Sequence, residues 1–456
     1  MTDITGEGGL GPEPQPGSSP EQGADDAPSR GLRHLIEASE LDTRLLGMVL
    51  ALIVLWVGFN ILSEGQFLTA RNLWNLSVQS ASIAIMATGM VLIIVSRNID
   101  LSVGAMLGFL GYFMAMVQTK WIPDTFDLGF DQPYTWIIAL VAGVVVGAIA
   151  GGLQGFIVAY AGVPAFIVTL GGFLAWRGLI FRFEQGQTLA PLDKTFQLLG
   201  GGSRGSLGEW RSWALAIVAC VLILLALYFA RRRRLRFDLP TRPIWLDIVI
   251  GAIGCGVVLA GVGLVANNYP SPVTGEPTGI ANPVAILIIV TLVMAYVATR
   301  RRFGRYVYAY GGNPEAAELG GINTRRTVMA TFSVMGILVA LSAAIQTARL
   351  NAAVTNLGIQ NELDVIAAAV IGGTSFSGGI GTIPGAVLGA VVMQSLRSGM
   401  VLLAIDSPSQ DIVVGVVLVA AVAIDAALRK RNRAAFIGAL ITGVVVAAIV
   451  VQTGRP

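Results

Sequence analysis

Runs of about 18 or more apolar residues, each long enough to cross a bilayer, recur along this chain from residue 45 to residue 451. That recurrence constrains the fold more than any other feature. It turns 456 residues into many membrane spans rather than one large water-soluble core. Composition agrees, since 54% of the residues are hydrophobic and only 12% are charged. The expected fold class is all-α, a polytopic membrane protein.

Thirteen spans are expected. In the first half they are 45–62, 76–96, 102–118, 135–161, 164–181 and 212–230. In the second they are 246–265, 282–299, 327–345, 363–378, 383–404, 411–428 and 433–451. Gly372, Gly373, Gly378 and Gly379 crowd the tenth, which reads as a half-helix or a re-entrant segment. Gly143, Gly147, Gly151 and Gly155 repeat every four residues on the fourth, and Gly381, Gly385 and Gly389 do so at the start of the eleventh. Such stripes favour close helix packing over a ligand role.

Orientation follows from arginine placement. Arg231 to Arg234 with Arg236, then Arg300 to Arg302 with Arg305, Arg325 and Arg326, and finally Arg429, Lys430, Arg431 and Arg433, share one side if the spans alternate. The connection 266–281 carries no Lys or Arg, as the opposite side should. The basic side is then cytoplasmic, and so is the N-terminal tail, residues 1–44. Residues 1–30 are rich in Gly, Pro, Ser, Glu and Asp, which predicts disorder, and show no signal-peptide pattern.

Several functions are excluded by what the chain lacks. Its one histidine, His34, precedes the first span, so no histidine-based metal cluster or proton relay can be built. Cys220 and Cys255 sit in apolar runs and read as small buried hydrophobes. No metalloprotease, Cys-x-x-Cys or Gly-x-Ser-x-Gly pattern appears, so no catalytic residue and no metal site is assigned. The only lysines are Lys120, Lys194 and Lys430, none in a phosphate-binding loop, so the chain cannot hydrolyse ATP itself. An ion-coupled carrier usually needs titratable groups at mid-membrane. Spans one, two, three, six, eight and nine have none. Nothing in the charge pattern suits nucleic acid.

Three features remain as candidates. Residues 300–326 carry a short helix with stop signals at both ends. Asn313 suits the N-cap, Pro314 the first helical position, and Glu315 and Glu318 the N-terminal half, while Gly320 and Gly321 supply a left-handed stop. About two turns are too few to be stable alone, so a partner protein is expected to complete the packing, with the small Ala316 and Ala317 permitting close approach. Asn98, Asp100 and Ser102 form a polar knot between the second and third spans. Satisfying freed backbone groups is the favoured role there, and a hydroxyl-binding position or gate on a translocation path is the alternative. Arg177 and Arg397 fall in the outer thirds of their spans. They are expected to snorkel to the interface, or else to meet acidic groups of an external protein.

Gly312-Asn313-Pro314-Glu315-Ala316-Ala317-Glu318-Leu319-Gly320-Gly321-Ile322 resembles the coupling segment of ribose- and xylose-type ABC sugar permeases, relatives of the branched-chain amino-acid permeases. Further matches are Gly89 to Gly104, Pro164 to Gly171 with Arg177-Gly178, and Ala369 to Gly379 with Gly385-Ala386. The resemblance covers roughly 45–430, and length together with an insertion at 231–281 is most similar to the xylose type. It implies about ten family-type transmembrane helices, with spans six and seven an inserted hairpin and 431–456 an extra C-terminal helix. It implies the translocating subunit of an ATP-driven monosaccharide importer in a bacterial inner membrane, the sugar being D-xylose or another pentose. The chain would bind no cofactor. Its partners would be a separate ABC ATPase subunit, a sugar-binding protein, a second copy of itself and membrane lipid. Residues 311–322 would be the cytoplasmic coupling helix, with Gly312, Asn313, Pro314, Glu315, Ala316, Ala317, Glu318 and Gly321 meeting the ATPase. A permease for another small solute, such as a branched-chain amino acid, and an ion-coupled carrier are the alternatives.

Overall fold

A computed structural model describes residues 43–430, apart from 126–128, 203–204, 238, 240–242, 269, 271–274 and 276. Nearly all of the expected N-terminal tail and the whole of the expected thirteenth span, 433–451, lie outside the described residues. The main helices of the first half are α1 (Thr43–Leu62), α2 (Ala70–Val95), α3 (Val103–Met116), α4 (Thr135–Tyr160), α5 (Ala165–Arg182) and α6 (Glu209–Arg236). Then follow α7 (Ile244–Asn268), α8 (Asn282–Arg300), α9 (Arg302–Gly312), α10 (Pro314–Leu319), α11 (Thr324–Leu350), α12 (Asn361–Ile371), α13 (Ile383–Leu402) and α14 (Ser407–Lys430). Among the described residues, β structure is limited to isolated bridges.

Among the described residues, eight helices (α2, α4, α5, α6, α7, α8, α11 and α13) are long and apolar enough to cross a membrane. They use that apolar surface in two ways. α2 is apolar all round because it is the centre of the bundle, buried from Ser80 to Val95 and packed by α8, α11, α12 and α13. α6 and α7 pack mainly on each other and leave large side chains outward, Ile253 63% and Val257 68% exposed, as a lipid-facing hairpin does. The hairpin begins at Glu209, so the insertion expected at 231–281 takes in α7 but only the end of α6.

The glycine stripe on α4 is a packing device. A Cβ at Gly147 would lie 2.4 Å from the Gly336 carbonyl oxygen of α11, and one at Gly151 only 2.1 Å from that of Phe332. The two backbones touch, and no larger residue fits at that crossing. Gly385 and Gly389 seat α13 on α12 in the same way, but Gly381 precedes the helix rather than belonging to its stripe.

One expected span is shorter than a bilayer. α12 has 11 residues, about 17 Å at 1.5 Å per residue, against a hydrocarbon core of about 30 Å, whereas α3, with 14 residues, runs on directly into a π-helix, Val117–Thr125. Non-helical chain makes up the difference for α12. Residues 353–358 lie against α3, where Cβ atoms at Gly104 and Gly108 would meet the carbonyl oxygens of Gly358 at 2.4 Å and Leu357 at 2.7 Å. Irregular backbone at that depth needs internal partners. Arg177 on α5 supplies them, its Nη1 donating to Thr355 O at 3.2 Å and Leu357 O at 3.0 Å. Arg397 is likewise held inside the bundle, Nε and Nη2 donating to Asp364 Oδ1 at 3.0 and 2.9 Å. Its Nη1 lies 3.8 Å from Asp411 Oδ1 of α14. Neither arginine snorkels, because each has a partner within the chain.

Following the chain through the bundle puts α9, α10, the end of α2, the start of α11 and the loop 372–381 at one face, together with Arg231–Arg236 at the end of α6. The opposite face holds the start of α2, the ends of α11 and α13, and the connections 183–208 and 277–281. There Trp74 Nε1 donates to Gly279 O at 3.1 Å and Ser398 Oγ to Asn72 Oδ1 at 3.0 Å.

Candidate functional site

α10 has six residues, and both of its ends are closed by local chemistry. Asn313 is the N-cap, its Oδ1 accepting from Ala316 N at 3.0 Å, with Pro314 at the first helical position. At the other end Ile322 N donates to Ala317 O at 3.1 Å and Gly321 N to Glu318 O at 2.9 Å. That is a Schellman closure, and its left-handed residue is Gly321 alone, φ +80°. Gly320, at φ −74°, is not left-handed as expected but still in near-helical conformation.

The helix presents one face outward. Glu315, Ala316 and Glu318 are exposed, and Leu319 is 90% exposed. Ala317, expected to meet a partner, is instead 6% exposed and turned toward the chain's own body. Leu319 is the residue that sequence reasoning passed over. An apolar side chain at the tip of a charged helix was its available signal.

Beneath α10 is a socket in which three backbone segments converge. α9 lies across the bundle with Gly304, Val307 and Gly311 on its buried side. A Cβ at Gly311 would lie 1.8 Å from Val95 O at the end of α2. Arg97, itself left-handed at φ +60°, ends α2 and reaches across. Its Nε donates to Gly311 O at 2.7 Å and its Nη2 to Gly312 O at 2.8 Å. The loop after α12 joins them, with Gly379 N donating to Val95 O at 3.0 Å and Tyr308 Oη to Gly381 O at 2.7 Å. Burial pushes the Tyr308 hydroxyl up to about 12, so it remains a neutral donor. α9 is thereby bonded to the end of α2 and to the loop that leads into α13. Displacing α10 must strain those bonds or move those helices.

The polar knot lies directly beyond Arg97. Asp100 and Ser102 are buried, with Asp100 Oδ1 accepting from Ser102 N at 2.8 Å and from Ser102 Oγ at 2.6 Å. Gln154 Nε2 of α4 donates to Ser102 Oγ at 3.0 Å. Asn98 turns back on Ser96, donating to its carbonyl oxygen at 2.8 Å. These bonds tie the chain just before α3 to itself and to α4. They occupy Asp100 Oδ1 and the hydroxyl of Ser102 within the chain.

This arrangement suits mechanical transmission, and the comparisons agree with a transport role. The family model described as branched-chain amino acid transport system / permease component matches residues 72–422. Over 392 residues the chain is 38% identical to the xylose transport system permease protein of Escherichia coli, covering 86% of this chain and 94% of that one. The xylose transport system permease protein of Haemophilus influenzae is 36% identical over 384 residues, 84% of this chain and 96% of its own. The ribose import permease protein of Escherichia coli is 31% identical over 399 residues, 87% and 97%. No solved structure matches. With the match running from the start of α2 to near the end of α14, the chain belongs to the branched-chain amino acid transport system / permease component family, a multi-pass membrane permease that leaves ATP hydrolysis to a separate subunit.

Proposed function

We propose that this chain is the translocating subunit of an ATP-driven importer for a monosaccharide, D-xylose or another pentose, fed by a sugar-binding protein. The observation that carries the coupling role is the doubly capped α10, outward-facing at Glu315, Ala316, Glu318 and Leu319 and bonded through α9 to the end of α2 and to the loop that leads into α13. The ATPase subunit grips α10 at the cytoplasmic face, where the arginine-rich connections gather. The binding protein meets the opposite face. Two copies of the chain form the pathway, and the break at 96–102 serves as its hinge, with Asn98, Asp100 and Ser102 holding the gate end of α3. Nucleotide-driven closure then moves α2 and the loop 372–381 with the start of α13 as the foot beneath them is pushed. The xylose assignment is supported by the names and long coverage of two relatives.

The test uses the chain with its ATPase and binding protein in proteoliposomes. Glu315→Arg abolishes sugar-stimulated ATP turnover while membrane insertion stays intact, and unchanged turnover removes the docking role. Uptake is measured for D-xylose, ribose, galactose and leucine. Leucine uptake without sugar uptake favours the second reading, an amino-acid permease, which the description of the matching family supports.

A further inference from the structure

At the face opposite α10 a cavity of about 380 Å³ opens among α2, α11, α12 and α13, within the range of about 300–1,000 Å³ usual for small-molecule sites. Its lining is unusually polar for the interior of an apolar bundle. Gln79 and Ser82 come from α2, Gln346 and Arg349 from α11, Asn361 from α12 and Gln394 from α13. Polar side chains at such depth are costly unless they are used. Some are satisfied within the chain, Gln346 Nε2 donating to Ser82 Oγ at 2.8 Å and Ser342 Oγ to Ser82 O at 3.0 Å. The side chains of Gln79 and Asn361 make no hydrogen bond with any described residue, which leaves amide donors and acceptors free at the cavity wall.

The charge balance selects the ligand. Asp364 and Arg397 both reach the cavity but neutralise each other. Arg349 stands exposed at the mouth, at the end of α11. The deeper wall is amide, hydroxyl and the apolar surface of Ile83 and Ile345. Amides offer donors and acceptors together and so match hydroxyl groups, while the aliphatic surface takes C–H faces. We propose that this cavity is the station that holds the solute during translocation, and that it takes a neutral polyhydroxylated molecule of monosaccharide size, read by Gln79, Asn361 and Gln346. The Arg397–Asp364 pair, with Asp411 behind it, is a positioning device that fixes α12 against α13. The inference rests on the importer reading and adds the place where the solute is held.

Gln79→Leu and Asn361→Leu are the informative variants, because neither side chain bonds any described residue. Each is reconstituted with the ATPase and the loaded binding protein, and read on sugar uptake and on stimulated ATP hydrolysis. Uptake falls by about tenfold, the effect of one lost hydrogen bond, while ATP hydrolysis is unchanged. Full uptake in both variants overturns the site. Parallel loss of uptake and hydrolysis in both also overturns it, by assigning these residues to packing or coupling. A wild-type complex that moves none of xylose, ribose and galactose refutes the importer reading and takes the polyol assignment with it.

Discussion

Asp364 and Arg397 carry opposite charges inside the bundle, the carboxylate side chain 4% exposed and the guanidinium 22%. Burying such a pair gives little net stability, but removing one partner strands the other, at a cost of about 3–5 kcal/mol. Asp364→Leu therefore lowers the melting temperature of the detergent-solubilised chain sharply, and Asp364→Leu combined with Arg397→Leu recovers most of the loss. Equal melting of the single and double variants would show that the pair is not coupled. Arg177 works differently, because its partners are carbonyl oxygens of a non-helical segment rather than a carboxylate. Arg177→Leu leaves Thr355 O and Leu357 O without that donor at membrane depth, and amide hydrogen exchange at 353–358 should rise selectively.

A helix as short as α10 has no stability of its own, so its caps and its socket decide whether it is a rod or a loop. Asn313→Ala removes the Oδ1 acceptor at a cost of about 1 kcal/mol. Gly321→Val forces a β-branched residue into the left-handed region, at about 1–2 kcal/mol. Both variants lower ATP-coupled uptake, with Gly321→Val the more severe, and hydrogen exchange of the 314–319 amides reports the fraying directly. Capping chemistry lies within a few residues of sequence, which is why α10 was legible before any coordinates, Gly320 aside. The socket was not, because Arg97 meets Gly311 across 214 residues. Nor was the true length of α12. The apolar run Ala352-Ala353-Val354 and its continuation to Ile359 reads the same whether it is helical or extended. The orientation of Ala317 was also hidden, since one apolar face on a six-residue helix leaves no periodicity to read. The cavity residues gave still less signal, each being a single polar position on a different helix.

The whole molecule is a buried frame around α2 with a separable appendage. Residues 209–268 leave one face of the bundle and return to the same face, and the chain is already joined at the root of that excursion. Leu207 N donates to Ile280 O at 2.9 Å and Gly208 N to Thr278 O at 3.2 Å. Removing two spans together keeps the orientation of every later helix, so α9, α10 and their arginines stay on their present side. α6 is in contact chiefly with α7, and no residue of either helix lines the cavity. A chain with 209–277 excised, Gly208 joined to Thr278, should therefore insert with the same topology and keep sugar uptake and stimulated ATP hydrolysis in the same ratio as the full chain, though with a lower melting temperature. Protease accessibility of the α9–α10 segment in inverted vesicles checks the topology, and paired flux and turnover measurements check the coupling. Loss of uptake with ATP hydrolysis retained would instead make the hairpin a wall of the pathway, and would place function in the one part of the bundle that otherwise packs as a lipid-facing addition.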